Sequence, residues 1–223
     1  MNKLKTMLCT VFTLLLVNTA QADSGNMAGP YIGLQLTAAG ISMDGTSNAG
    51  AVNTTGTDAN DAGQSSDDVN IGKAAAIAGW EIGYAVPLGS WLLLDVGASY
   101  LSGEAKIEAL TDDQAAKGNA SFSVDDVRTF YIAPTIALSD TASFYVKVGL
   151  SEADVGVTGD ITTPGNLSGE TLALGTRIVL DSGIFIRSEA GYTSYNEIAS
   201  QGKGNTINAT TSYSAEPTIA YGK

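Results

Sequence analysis

Apolar residues in this chain fall on every second position in eight separate runs, and few folds accommodate that pattern. Ile32, Leu34, Leu36 and Ala38 alternate with Gly33, Gln35 and Thr37. Ala78, Trp80, Ile82, Tyr84 and Val86 are separated by Gly79, Glu81, Gly83 and Ala85, and Leu92, Leu94, Val96, Ala98 and Tyr100 by Leu93, Asp95, Gly97 and Ser99. Runs of the same kind start near Phe130, Phe144, Leu172 and Ile184, and the last places Tyr213, Ala215, Pro217, Ile219 and Tyr221 against Ser214, Glu216, Thr218, Ala220 and Gly222. Side chains alternate across a strand, so each run predicts a β-strand with one greasy and one small or polar face. After residue 22 no stretch approaches the 18 or so consecutive apolar residues of a spanning helix. Two architectures remain: an exported soluble β protein, lipocalin-like, whose greasy face is its core, or a closed barrel whose greasy face meets lipid.

The first 22 residues read as an export signal. Lys3 and Lys5 precede an apolar stretch from Thr6 to Val17, and Ala20-Gln21-Ala22 offers small residues to a signal peptidase. Cleavage after Ala22 leaves a domain over residues 23–223 and removes Cys9, the single cysteine.

Connections between the eight runs alternate strictly in length. Pro87–Ser90, Ser139–Ala142 and Asp181–Gly183 are tight, whereas about 42–75, 103–126, 156–170 and 196–211 are long. Tight turns at one end and long loops at the other are the pattern of an outer-membrane barrel, with both termini on the short-turn, periplasmic side. The reading is therefore an all-β, eight-stranded antiparallel up-and-down transmembrane β-barrel, of strands about nine to eleven residues long. Its greasy face carries Trp80, Tyr100, Phe130, Tyr192 and Tyr213 toward one rim and Phe144 and Tyr221 toward the other, positions expected of an aromatic girdle. Its polar face carries Glu81, Asp95, Lys147, Arg177, Arg187, Glu189 and Glu216. A lumen of eight strands is about wide enough for side chains alone, so these charges are expected to pair and to leave no open pore.

Histidine is absent, which excludes Ser-His-Asp hydrolysis and histidine-based metal sites. A carboxylate hydrolase would need a paired acid, and Glu189 with Glu216 is the one pair the parity offers; the arginines nearby favour ion pairing instead. Gly202-Lys203-Gly204 lacks the spacing of a phosphate loop. The formal net charge is −12, which argues against nucleic acid as a partner. Asp44, Asp58, Asp61, Asp67 and Asp68 crowd the first long connection without matching a known calcium loop, and read as a solvated segment. No cofactor, metal or catalytic residue is expected.

With Gly29-Pro30-Tyr31-Ile32-Gly33-Leu34, Gly79-Trp80-Glu81-Ile82-Gly83-Tyr84 and Pro217-Thr218-Ile219-Ala220-Tyr221, the chain resembles the small outer-membrane β-barrel family of the OmpA transmembrane domain, OmpX and the opacity-type proteins. The resemblance covers the whole region after residue 22. It implies a bacterial outer-membrane location, contact with outer-membrane lipid and the barrel-assembly machinery, and a monomer. Family members end in an aromatic residue; here the same parity puts Lys223 at that outward position. The role expected is non-enzymatic, structural or surface-interacting through acidic outer loops toward an unidentified extracellular ligand. Passive porin activity is the alternative.

Overall fold

The computed structural model describes residues 24–48, 66–107, 121–159, 161–203 and 212–223. Among the described residues, a single 3-10 turn (Ser24–Met27) is followed by strands alone: β1 (Gly29–Asn48), β2 (Ser66–Pro87), β3 (Leu92–Ser102), β4 (Ala105–Ile107), β5 (Ser121–Ala137), β6 (Ala142–Thr158), β7 (Leu167–Val179), β8 (Phe185–Tyr195), β9 (Ile198–Gln201) and β10 (Ser212–Gly222). Pairing is antiparallel throughout, in the order β1-β2-β3-β5-β6-β7-β8-β10, and β1 pairs with β10 to close an eight-strand ring. β4 and β9 continue the wall at the long-connection end, β4 on β5 above β3 and β9 on β10 above β8. No helix among the described residues is long and apolar enough to cross a membrane. A closed ring of strands is the other arrangement that satisfies backbone hydrogen bonds in lipid.

Hydropathy sets the faces. Ile32, Leu34, Leu36, Trp80, Ile82, Phe130, Ile132, Leu150, Leu172 and Ile186 are all exposed on the outside, and the residues between them point inward. Such exposure would be costly in water and is favourable against acyl chains.

Several strands outrun the nine to eleven residues the sequence suggested: β1 has 20 residues, β2 has 22, and β5 and β6 have 17 each. At about 3.3 Å per residue and a tilt near 40°, a 20-residue strand rises about 50 Å, roughly twice the apolar band of an outer-membrane barrel. The surplus lies at the long-connection end. Parts of the expected loops are thus strand: Asp44 belongs to β1, Asp67 and Asp68 to β2, and β4 extends the wall beside β5. Asp58 and Asp61, like the export segment, lie outside the described residues.

The ring is uneven at the tight-turn end. β10 meets β1 from Ala38↔Gly222 upward, whereas β1 pairs with β2 from Gly29↔Ala85.

Candidate functional site

Three layers fill the interior. Nearest the tight turns, Met27, Ala85, Leu93 and Ala137 form a small apolar floor with Tyr31 and Val179 against it. Above it lies the ionic layer. Arg177 Nη1 is 3.1 Å from Asp95 Oδ2, and Arg187 reaches the same oxygen at 3.0 Å through Nη2 and Glu81 Oε1 at 2.9 Å through Nη1. Lys147 Nζ is 2.6 Å from Glu189 Oε2. Lys223 Nζ is 2.7 Å from Gln35 Oε1, 3.2 Å from Glu81 Oε2 and 3.5 Å from Glu189 Oε1. The charged side chains of this layer are at most 7% exposed, so each charge depends on its partners rather than on water.

Tyrosines complete that layer. Tyr31 and Tyr131 share a hydrogen bond of 2.9 Å, and the hydroxyls of Tyr145 and Tyr221 donate to the two oxygens of Glu189 at 2.7 and 2.9 Å. Lys147 sits 4.2 Å from the Tyr131 ring centroid, and the Arg187 guanidinium carbon 4.8 Å from that of Tyr145, distances at which a ring face attracts a cation. Each ring has space because a glycine stands directly opposite on the next strand: Tyr31↔Gly83, Tyr131↔Gly97, Tyr145↔Gly175 and Tyr221↔Gly191. A Cβ at any of these four glycines would collide with the hydroxyl end of its tyrosine.

Higher up, four buried hydroxyls run around neighbouring strands: Thr129 to Ser151 at 2.6 Å, Ser151 to Thr171 at 2.7 Å and Thr171 to Thr193 at 2.7 Å. Above the chain, Ile41, Met43, Ile77, Val124, Leu167 and Ile219 belong to an apolar cap at the long-connection end. Between cap and ionic layer lies a cavity of about 40 Å³. That is volume for about three waters, not for a continuous channel.

The structure puts Glu81, Asp95, Lys147, Arg177, Arg187 and Glu189 on the inner wall within this one layer. Glu216 is different. It is exposed, and the Glu189 and Glu216 carboxylates lie on opposite faces of the wall. The parity expected for β10 is therefore reversed, and the seam explains why. Ile219 pairs with Ile41 and Tyr221 with Ala39, directly opposite residues share a face, and Ile41 and Ala39 are buried inside. Because the upper lumen is itself apolar, greasiness on β10 marks the inside. Tyr221 is thus a lumen residue and not part of a girdle, and Lys223 points inward as a fourth cation in place of the fourth acid expected. Tyr213 also leaves the girdle: it shares the inward parity of Ile219 and Tyr221 and packs with Ile161 where β9 pairs with the upper part of β10.

On the outer wall, Phe130 and Tyr192 are exposed and Phe144 is half-buried. Trp80 and Tyr100 are cross-strand partners with ring centroids 5.9 Å apart, and the Tyr100 hydroxyl donates to Asp126 Oδ1 at 2.5 Å. Sequence parity alone could not reveal the tyrosine and glycine pairs or the hydroxyl chain, since both depend on register between strands.

An apolar outer belt on a closed up-and-down ring, with paired charges inside, defines a membrane-spanning β-barrel. Residues 9–214 match the outer membrane protein beta-barrel domain family, and the chain belongs to that family of the bacterial outer membrane. Among solved structures it is similar to Ail, the attachment invasion locus protein of Yersinia pestis, at 8% identity over 84% of this chain and 98% of that one, with a TM-score of 0.34. It is also similar to the outer membrane protein OprG of Pseudomonas aeruginosa, at 10% identity over 87% and 95% of the two chains, with a TM-score of 0.49. No curated protein matches the chain.

Proposed function

We propose that this protein is a non-enzymatic, non-conducting outer-membrane barrel that serves as a rigid support for the segments at its long-connection end. The observation that carries this reading is the layering of the lumen. A sheet of paired charges lies between an apolar floor and an apolar cap, and the space left between ionic layer and cap is about 40 Å³. An ion crossing that path would have to break several buried pairs and then leave its hydration shell beneath the cap. The carboxylates of the interior are each engaged by lysine or arginine, which leaves no free base for hydrolysis.

On this reading the short turns face the periplasm, residues 1–22 direct export and are removed, and the barrel-assembly machinery inserts the remaining chain as a monomer in outer-membrane lipid. The long-connection end, with Asp44, Glu104, Glu152 and Glu216 exposed, presents an acidic surface to the outside and to any extracellular ligand.

Planar-bilayer recording of the purified protein is the direct test. Insertion without discrete conductance steps is expected. Reproducible steps that change in size in an Arg177→Gln variant would overturn the sealed-lumen reading and favour passive transport.

A further inference from the structure

The cavity between the ionic layer and the apolar cap has a lining of unequal sign. Two ammonium groups, Lys147 and Lys223, border it with one carboxylate, Glu189. Both oxygens of that carboxylate are taken: Tyr145 and Lys147 donate to Oε2 at 2.7 and 2.6 Å, and Tyr221 donates to Oε1 at 2.9 Å, with Lys223 Nζ 3.5 Å from the same atom. Lys223 has further acceptors in Gln35 and Glu81. Lys147 pairs with Glu189 alone among the described residues. Of its three N–H groups, Glu189 engages one and the face of Tyr131 attracts another. An ammonium 2% exposed that shares its one counter-charge with a second cation is expensive to bury.

Hydroxyls around the cavity are unbalanced in the same direction. Thr37 and Tyr195 line it, are 1% and 4% exposed, and have no hydrogen-bond partner for Oγ1 and Oη among the described residues. A buried hydroxyl left unpaired carries the full cost of its lost hydration. Lys147, Thr37 and Tyr195 can all donate, while Ile41, Ile77, Val124 and Ile219 close the remaining side with aliphatic carbon. A water among them would bring two more hydrogens to a lining already rich in donors, and no negative charge. The space of about 40 Å³ exceeds what one water needs and is too small for an organic acid of sugar size.

We infer that this cavity is a binding site for one monovalent anion of halide size, with the Lys147 ammonium as its charge partner and the Thr37 and Tyr195 hydroxyls as donors. The aliphatic side selects a weakly hydrated ion, which gives up its water at the least cost. A divalent oxyanion would bring a second charge that no spare cation of the lining meets. With the cap on one side and the ionic layer on the other, the ion is enclosed as the barrel folds. It is a structural component of the interior and not a cargo in transit.

The test refolds the full chain from urea into detergent micelles in sodium bromide, or in sodium gluconate at equal ionic strength, whose anion is too large for the cavity. Melting temperature is read from tryptophan fluorescence, and bromide is located in crystals by its anomalous scattering. A saturable rise is expected in bromide, about 5 °C or more at a hundredfold excess over the dissociation constant. One bromide should lie in the cavity, within hydrogen-bond reach of Lys147 Nζ. Lys147→Met should abolish the rise. Thr37→Val and Tyr195→Phe remove hydroxyls that bond to nothing in the described interior, so they keep the barrel testable if Lys147→Met does not fold. Each should weaken bromide binding about threefold or more and leave the melting temperature in gluconate unchanged or higher. A rise that does not saturate, or that the two hydroxyl variants retain in full, would be a general salt effect and would overturn the inference. Crystals with ordered water in the cavity and bromide only elsewhere would overturn it too.

Discussion

Arg187 Nη1 donates to Glu81 Oε1 at 2.9 Å, and through that contact β8 is tied to β2 across the seam strands β10 and β1. The same guanidinium holds Asp95 on β3 at 3.0 Å, so one side chain braces three parts of the ring. Arg187→Met should destabilise the barrel by about 3–5 kcal/mol, because Glu81 and Asp95 stay buried with less compensation. Arg187→Lys should recover part of that loss, since an ammonium cannot span both acids as a planar fork does. Urea unfolding in lipid vesicles, followed by the fluorescence of Trp80 and Trp91, measures both.

Thr171 is central in the hydroxyl chain, bonded to Ser151 on one side and Thr193 on the other. Thr171→Val keeps the shape, leaves Thr193 without its partner in the chain and Ser151 with Thr129 alone, at an expected cost of about 1–3 kcal/mol. A Thr171→Ser variant, which keeps the hydroxyl, should unfold close to the wild-type midpoint in the same assay.

Gly175 faces Tyr145, and a Cβ there would also come within 2.6 Å of the Ser188 carbonyl. Gly175→Ala is expected to abolish the compact fast-migrating form on unheated gels or to lower its melting temperature sharply. Gly165→Ala, where nothing lies within 4 Å of the added carbon, should behave as wild type.

Asp44 and Glu216 are directly opposite on β1 and β10, and both are exposed. Like charges in that position repel, and opposite ones attract. Asp44→Lys should therefore raise the urea midpoint modestly, with the gain fading in high salt; an unchanged midpoint in low salt would show that the pair is too solvated to matter.

Much of the barrel was legible because lipid imposes a stronger pattern than water does. Along β2, β3, β5, β7 and β8 an apolar residue on alternate positions means outward, and the fold class, strand order and inward placement of Glu81, Asp95, Arg177, Arg187 and Glu189 follow from that rule. The rule fails on β10, where Pro217, Ile219 and Tyr221 are greasy and inside. Nothing along β10 itself carries that information; it resides in the pairing with Ile41 and Ala39 across the seam. The strand ends were hidden for another reason: Gly72, Ala74, Ala75 and Ala76 are small on both faces, so β2 continues past its last contrast in hydropathy. Lys147 Nζ to Glu189 Oε2 could be expected as a pairing of signs, but which cation meets which acid depends on stagger between strands, which periodicity does not encode.

The ladder between β1 and β2 has 20 rungs, from Gly29↔Ala85 to Asn48↔Ser66, and a bilayer's apolar slab is deep enough for about half of them. The half toward the long connections is a mast, stiffened by the same backbone bonds that hold the submerged half. Substitutions at its top can accumulate without touching any residue that meets acyl chains or the inner charges. Insertion into the bilayer and the sequence displayed above it are therefore free to change at different tempos within one continuous pair of strands.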